Sequence, residues 1–429
     1  MGYYMKNKSF ILFILIISLF LSGCSMSGEE IRTLLTPPAM SSGREALSQA
    51  INAAIGEGYE LVYPQAGSYR TGIISVDLTG DKTTEALCFY RPSGKEDQLC
   101  FLVMENRGES WAMLAKGESE AASVGRVAFG DMDGDGMSEI VVGWQYHADT
   151  DGSYDVYTIE DKEAESRYSG LYTRFAMLGD APNKLAVISR NSATKSVTAS
   201  LVGLTDGKIG VVNTVPMYDR TTDYLAIETG KTTAGLPAVY VDSQQENGQC
   251  VTEVLSINEE GRLTNELLTQ LSTATMRNTA VTCRDVNGDG ILEVPREEAL
   301  PAYTRSGVTE NLYLTRWTDY DGKSLTDISA SFVDMTEKIM VDFPSSWVGK
   351  VTVERGNTAD RSFVFKTMKG ENLFTVRIFA LAEYSNELGE TGWRRLYSDS
   401  DHICAVYCEP DNSMRINYMQ VYGLFSVIG

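Results

Sequence analysis

The stretch GDMDGDGMSEI, residues 130–140, decides how the rest of this 429-residue chain is interpreted. It contains four acidic residues within nine positions, and glycines stand between them at 134 and 136. Carboxylates at alternating positions of a tight loop converge on one point, which suits calcium because this hard cation takes about six to eight oxygen ligands. We therefore predict a calcium loop whose ligands are Asp131, Asp133, Asp135, the main-chain carbonyl of Met137, and Glu139.

A second stretch, CRDVNGDGILEVP at 283–295, has the same arrangement of acids and glycines. Its predicted ligands are Asp285, Asn287, Asp289, the main-chain carbonyl of Ile291, and Glu293. An EF-hand is excluded because position twelve is Val142 in one loop and Arg296 in the other, and because strand-like runs flank both loops. The alternative for both loops is an acidic surface turn that holds no metal.

A third stretch, SVDLTGDKTTEALCFY at 75–90, is a weaker version of the same loop. It keeps acids at 77, 81 and 85 (Asp77, Asp81 and Glu85), but Thr79 replaces an acid and Lys82 occupies the glycine position. The lysine would bring a positive charge close to a bound cation. We predict that this loop is a relic that turns the chain without binding metal.

The three loops indicate a repeat, because each one separates two short strand-like runs. Two further strand–turn–strand segments, 175–189 and 225–241, lie between the second and third loops. Five units of roughly 50 residues result, each long enough for a four-stranded sheet. The sequence therefore predicts a mainly β fold, with a propeller-like array of about five four-stranded repeats at 59–323.

The N-terminal stretch MGYYMKNKSFILFILIISLFLSGCS has the parts of a secretory signal: two lysines, then an apolar run shorter than the roughly 20 residues that span a membrane. We predict a signal peptide at 1–23. Leu-Ser-Gly-Cys at 21–24 resembles a bacterial lipobox, which implies that Cys24 is lipid-modified, for example with palmitate. An uncleaved anchor helix is the alternative. Both versions place the remaining chain at the cell membrane, on its extracytoplasmic face, with a tether and an amphipathic helix within 24–58.

The complete loops resemble the calcium loops of FG-GAP and VCBS repeats, which form the blades of integrin-like propellers. This resemblance implies extracytoplasmic binding or adhesion modules that generally lack catalysis of their own. The order of lipobox, short helix and the segment YPQAGSYRTGIISVDLTGD at 63–81 is also similar to a group of Firmicutes lipoproteins.

Composition narrows the class of partner. The formal net charge is −21, from 58 acidic and 37 basic residues, and so acidic a chain repels phosphate backbones, which argues against nucleic acid as a partner. Six cysteines follow Cys24, and their spacing fits neither a zinc site nor a disulfide framework. We expect mostly buried free thiols, and a Cys88–Cys100 disulfide across a predicted hairpin stays open.

Residues 324–429 are predicted to form a separate small α+β domain. Its start, LTDISASFVDM at 325–335, has a helix-like pattern, whereas RINYMQVYG at 415–423 has a strand-like one. Trp347 follows a turn-like FPSS segment and is our candidate for an exposed ligand contact.

The sequence assigns no catalytic residue. His402 and Cys404 share one face of a predicted strand, but that strand looks like ordinary half-buried structure, and His147 stands at the end of another strand. The GKT at 230–232 lacks the first glycine of a phosphate loop, since Leu225 stands there. These features favour a lipid-anchored binding or scaffold protein whose ligand is an envelope protein or glycan. A cell-envelope hydrolase with an acidic cleft and a structural subunit of a membrane assembly are the alternatives.

Overall fold

The computed structural model describes residues 42–56, 58–147, 151–271, 273–305, 308–356, 361–384 and 391–428. The predicted signal peptide, Cys24 and the tether lie outside the described residues. Within these ranges, no helix combines the length and the apolar character that crossing a membrane requires.

The predicted amphipathic helix is present as α1 (Ser42–Ile55). Leu47 and Ile51, one turn apart on its apolar stripe, are buried. The helix ends at Gly56, whose amide donates to the Asn52 carbonyl at 2.9 Å and whose φ of +84° is open to glycine at little steric cost. Residues 106–112 belong to the same compact unit as this helix, and the rest of the described chain forms a second unit.

The second unit confirms the predicted mainly β, propeller-like array of repeats. The strands of the first two repeats are β1 (Tyr59–Val62), β2 (Ile74–Val76), β3 (Glu85–Pro92), β4 (Leu99–Asn106), β5 (Trp111–Ser119), β6 (Ser123–Gly130), β7 (Glu139–Gln145), β8 (Gly152–Glu160) and β9 (Glu163–Tyr172). They form one nine-stranded sheet in which the two repeats meet through a single parallel bridge between Lys116 and Glu163.

Repeats three and four are separate four-stranded antiparallel sheets. They comprise β10 (Arg174–Leu178), β11 (Lys184–Arg190), β12 (Val197–Thr205) and β13 (Lys208–Pro216), then β14 (Thr221–Lys231), β15 (Pro237–Gln245), β16 (Cys250–Ile257) and β17 (Leu263–Thr264). The helix α2 (Glu266–Leu271) leads towards the fifth repeat. The two predicted strand–turn–strand segments are therefore confirmed as β10–β11 and β14–β15.

The fifth sheet has the order β18 (Val294–Ala299), β21 (Tyr313–Tyr320), β22 (Leu325–Asp334), β23 (Ile339–Asp342) and β29 (Phe425–Val427). A small hairpin of β19 (Tyr303–Arg305) and β20 (Val308–Glu310) is inserted between its first two strands. The predicted domain boundary at 323/324 thus falls in the turn between β21 and β22, two paired strands of one sheet.

Neighbouring repeats pack face to face through shared apolar clusters. Repeats one and two share Phe89, Phe101 and Trp144, while repeats two and three share Tyr172 and Phe175. Further clusters join repeats three to four and four to five. Because repeats two, three and four have a neighbouring repeat on both faces, their inner strands read as nearly continuous apolar runs.

The last sheet comprises β24 (Val351–Arg355), β25 (Ser362–Thr367), β26 (Asn372–Ala380), β28 (His402–Cys408) and β27 (Arg394–Ser398), in that order. It shares one apolar core with the fifth sheet, including Phe332, Phe365 and Phe374. Trp347 is only 6% exposed and lies in this core, so its prediction as an exposed contact was wrong.

Two local predictions in this region were also wrong. The helix-like stretch 325–335 contains β22, because pairing with β21 and β23 outweighs its helical periodicity. The strand-like stretch 415–423 overlaps the helix α3 (Tyr418–Leu424). Asn417 and Gln420 form a capping box at its start, which satisfies two backbone amides and fixes the helix there.

Candidate cation site in the repeat loops

Each of the three acidic loops leads into a strand, which is β3, β7 or β18, and the first two loops and the turn of repeat three touch one another. The Ser138 amide donates to the Leu78 carbonyl at 2.8 Å, which joins loop 131–139 to loop 77–85. The Asn183 amide, in the turn of repeat three, donates to the Asp131 carbonyl at 2.6 Å. The first two loops and the turn of repeat three therefore lie side by side at one end of the strands.

The three loops share one internal hydrogen-bond pattern. The glutamate at position nine accepts a hydrogen bond from the amide at position two, at 2.7 Å in loop 77–85, 2.6 Å in loop 131–139 and 2.7 Å in loop 285–293. The aspartate at position one accepts from the amides at positions four and six in every loop. The backbone turn is therefore built by the acids themselves.

Two of the loops bring three carboxylates together. Asp131, Asp133 and Glu139 each offer an oxygen within 4.8 Å of the others. Asp285, Asp289 and Glu293 do the same in the other loop. Carboxylate oxygens at this spacing suit a hard divalent cation, and coordination by these six residues stays a prediction.

The other predicted ligand side chains form hydrogen bonds within their own loops. Asp135 accepts from the Met137 amide at 2.7 Å, and Asp289 accepts from the Ile291 amide at 2.8 Å. Asn287 donates to Asp289 through its side-chain amide at 3.0 Å. Coordination by Asp135, by Asn287 and by the carbonyls of Met137 and Ile291 stays a prediction.

The glutamates at position nine are buried. Glu139 is 1% exposed and Glu293 is 0% exposed. Burial raises the pKa of Glu139 to about 7 and that of Glu293 to about 6. The neighbouring aspartates add to this increase, and one amide hydrogen bond to each glutamate opposes it. Within the described part of the chain, Oε1 of Glu293 has no hydrogen-bond partner. A buried carboxylate in that state is destabilising, and a cation in the loop would supply the missing partner. The residues present therefore fit the predicted metal.

Loop 77–85 keeps the turn and lacks the cluster. Lys82 adopts a φ of +71° at the position where the other two loops have glycine. The carboxyl oxygen Oε1 of Glu85 and the hydroxyl of Thr79 are both buried and unpartnered within the described residues. Among those residues, the threefold carboxylate clusters belong to loops 131–139 and 285–293. The arrangement agrees with a loop that has kept its shape without its full ligand set.

One acid beside the third loop was missed by the sequence analysis. Val294 pairs with Thr318, so the next step of the ladder places Asp319 opposite Glu293. Oδ1 of Asp319 is buried and unpartnered among the described residues, and burial, reinforced by Asp289, raises its pKa. In the second repeat the same position is Thr158, whose hydroxyl lies 3.5 Å from Oε1 of Glu139. Only the register between β18 and β21 could identify Asp319, because the inserted hairpin separates it from the loop in sequence.

Among the described residues, the candidate nucleophile Cys404 lacks the lowered pKa that an activated thiol requires. Burial raises the pKa of Cys404 to about 12, so its thiol stays protonated at neutral pH. Its neighbour His402 lies 3.9 Å from Asp399, and the exposed His147 follows β7. Lys231 ends a strand and no helix follows it, so the GKT sequence does not form a phosphate loop.

The cysteines of the described chain are free thiols. Cys88 is paired with Leu102 and Cys100 with Tyr90, so the two cysteines do not stand opposite each other in the hairpin. Five of the six are buried and Cys408 is partly buried, in line with the expectation of free thiols.

No family model matches the chain, and no curated protein matches it. Among solved structures it is similar to the Dos1 propeller, with 11% identity, coverage of 67% of this chain and 70% of that chain, and a TM-score of 0.30. It is also similar to Sqt1 from Chaetomium thermophilum, with 11% identity, coverage of 76% and 93%, and a TM-score of 0.31. Similarity this weak carries no argument about function. The fold assignment rests on the order of the sheets.

Proposed function

We propose that this chain is a lipid-anchored, extracytoplasmic binding or scaffold protein whose repeats are stabilised by calcium. The observation that carries the calcium part of the proposal is the buried, unpartnered Glu293 oxygen within a cluster of three carboxylates. Loop 131–139 has the same hydrogen bonds, one accepted by Glu139 and two by Asp131. Bound calcium would neutralise the crowded acids, fix loop 131–139 between β6 and β7, and fix loop 285–293 ahead of β18, which makes its role structural.

The anchor and the repeat family rest on the sequence. The lipobox-like residues 21–24 support lipidation at Cys24, and the loop pattern supports an FG-GAP or VCBS assignment. A propeller-like array offers broad surfaces at the two ends of its strands, which suits binding of a protein or glycan of the cell envelope. The formal charge of −21 argues against nucleic acid.

Calcium-dependent melting tests the metal. The purified protein, confirmed to be calcium-free, should melt at a higher temperature as calcium is added. A ligand that binds only the folded state stabilises it by about 2.7 kcal/mol at a hundred times its dissociation constant. The variant Asp133→Ala/Asn287→Ala should lose this increase, whereas Asp81→Ala in loop 77–85 should keep it. A parent protein without any increase would make both complete loops acidic turns.

Cross-linking in intact cells tests the binding role. We expect the parent to be captured together with an envelope protein or a wall glycan, and the Cys24→Ala variant to lose membrane attachment. Capture of constant partners in fixed proportion would instead indicate a structural subunit of an assembly. Turnover of wall glycans or peptides by the purified protein would contradict the proposal in favour of a hydrolase.

A further inference from the structure

A pocket of about 570 Å³ lies at the ends of the strands that point away from the acidic loops. β6 begins there with Ser123 and β7 ends there with Gln145, whereas loop 131–139 joins the opposite ends of the same two strands. The backbone amides of Gln65 and Ala66 bond to carbonyls of β6 and complete the wall. The pocket therefore lies where the inner strands of the first three repeats meet, and its size is that of a small-molecule site.

Two arginines line this pocket, and both are held in place. Arg126 donates to the Phe175 carbonyl at 2.5 Å and lies 5.8 Å from the centre of the Phe175 ring. Arg174 donates to the Thr173 carbonyl at 2.8 Å and lies 5.4 Å from the centre of the Tyr224 ring. Each guanidinium has five donors, so these bonds leave several donors for a ligand. Neither arginine forms an ion pair with a described carboxylate.

The charges of the pocket contrast with those of the chain. Burial and the neighbouring Arg174 charge lower the pKa of Arg126, so the two cations repel each other in a partly buried place. One carboxylate, that of Asp151, also lines the pocket, and it accepts a hydrogen bond from the Thr173 hydroxyl at 2.9 Å. Among the described residues that line the pocket, two arginines stand against one carboxylate, so an excess positive charge remains that an anion would balance.

The rest of the lining is polar and carries hydrogen-bonding groups. Gln65, Ser123 and Thr173 contribute amide and hydroxyl groups, and Tyr172 contributes a nearly buried ring. A Cβ atom at Gly125 would come within 2.3 Å of the Tyr172 hydroxyl, so this glycine makes room for the ring beside the arginines. A wall of this composition suits a ligand with several hydroxyl groups.

We infer that this pocket binds an acidic sugar, with Arg126 and Arg174 holding its carboxylate and the uncharged polar groups facing its hydroxyls. Guanidinium groups match the planar, two-oxygen geometry of a carboxylate. The inference names a ligand class for the binding role proposed above and rests on that role.

Calorimetric titration with three probes tests it. D-glucuronate should bind, and D-glucose, which lacks the carboxylate, should bind at least about tenfold more weakly, a difference of about 1.4 kcal/mol. Inorganic phosphate should compete only weakly with glucuronate. Equal binding of phosphate and glucuronate would overturn the assignment as a sugar site, and so would equal binding of glucose.

Variants test the residues. Arg174→Gln should weaken glucuronate binding at least about tenfold, and Arg174→Lys should give an intermediate loss, because lysine keeps the charge without the planar fork. Arg316→Gln is the matched control, since Arg316 is paired with Glu298 in the fifth repeat. An Arg174→Gln protein that melts cooperatively and binds as the parent does would overturn the inference. Should Arg174→Gln not fold, the loss in Arg174→Lys decides in the same way.

The two proposals fail separately. If the parent is captured with an envelope partner in cells but binds no glucuronate in solution, the sugar site is wrong while the binding role stands. If the parent binds glucuronate in solution but captures nothing in cells, the pocket stands and the envelope role is wrong.

Discussion

Loops 131–139 and 285–293 have the same acid and glycine pattern and the same internal hydrogen bonds, yet the structure supports them differently. β6 leads into the first and pairs with β7 from Ser123 to Gly130. The residues that lead into the second form a single bridge, between Arg284 and Glu293. The same loop sequence can therefore follow either a paired strand or a nearly unpaired segment. Contacts other than strand pairing must hold the segment that precedes loop 285–293.

That support is a buried ion pair between Asp242 and Arg277. The two side chains are joined at 2.7 Å and are 0% and 1% exposed. Asp242 also accepts from the Cys283 amide at 2.8 Å, and Arg277 donates to the Val281 carbonyl at 2.8 Å. The pair thus fixes the backbone that enters loop 285–293 onto the fourth repeat.

The largest expected effect comes from breaking this pair. Asp242→Asn should lower the free energy of unfolding by about 3–5 kcal/mol, because Arg277 would remain buried without its counter-ion. It should also remove the calcium response of loop 285–293, while that of loop 131–139 persists. Urea unfolding with and without calcium measures both effects.

The control for this prediction is Asp327→Asn, which removes the partner of Arg296 in an exposed pair. It should change the free energy of unfolding by less than about 1 kcal/mol. Equal effects of the two substitutions would mean that the ion pair does not support the loop.

The next largest effect is a difference in stability between alanine variants of the two glutamates at position nine. Glu139→Ala should destabilise the calcium-free protein by about 1–3 kcal/mol, because it leaves the fully buried Met132 amide without a partner. Glu293→Ala should cost less, because the Val286 amide is only partly buried and an unpartnered carboxylate is removed. Thermal melts of both calcium-free variants compare them.

Glutamine variants at these positions keep the hydrogen bond of the side chain but remove its negative charge, so they test the two contributions separately. Glu139→Gln and Glu293→Gln keep an acceptor for the amide at position two, so the calcium-free proteins should melt close to the parent. Each should still lose the calcium response of its own loop, since a ligand charge is gone. A full response in both would remove the glutamates from the ligand set.

A smaller effect tests why loop 77–85 differs from the other two. Thr79→Asp/Lys82→Gly restores the acid at position three and the glycine at the position where Lys82 has a φ of +71°. A third calcium ion should then bind, adding about 1.4 kcal/mol at ten times its dissociation constant. Metal analysis after dialysis counts the ions per chain.

Lys82→Gly alone is the control for that repair. It relaxes the left-handed backbone without adding a ligand, so the calcium-free protein should melt slightly higher with an unchanged number of bound ions. A double variant that binds no additional ion would show that the hydrogen-bonded turn is not enough to build a site.

The smallest effect concerns the residue across the strand. Asp319→Thr should weaken calcium binding to loop 285–293 about fivefold, roughly 1 kcal/mol, because it removes a neighbouring carboxylate. Thr158→Asp should strengthen binding to loop 131–139 by a similar factor. Each is measured by titration with the other loop disabled, by Asp133→Ala or by Asn287→Ala. Unchanged affinities would leave Asp319 outside the cation site.

The acidic loops and the repeat could be predicted from residues close together in the sequence. Asp131 to Glu139 and Asp285 to Glu293 form their turns through hydrogen bonds that span seven residues or fewer, so spacing alone carries the information. The regular return of this unit, with strands on both sides, predicts five packed sheets for the same reason.

The remaining features depend on residues that meet only after folding. Asp319 faces Glu293 through the β18–β21 register, and Arg126 and Arg174 meet where repeats two and three pack. Trp347 is buried because the fifth sheet shares its core with the last one. Register and packing between distant segments set burial and charge neighbours, and neither leaves a periodic signal in one sequence. Local spacing therefore defines the loops, and tertiary contacts decide their support, their neighbours and the pocket at the other end of the strands.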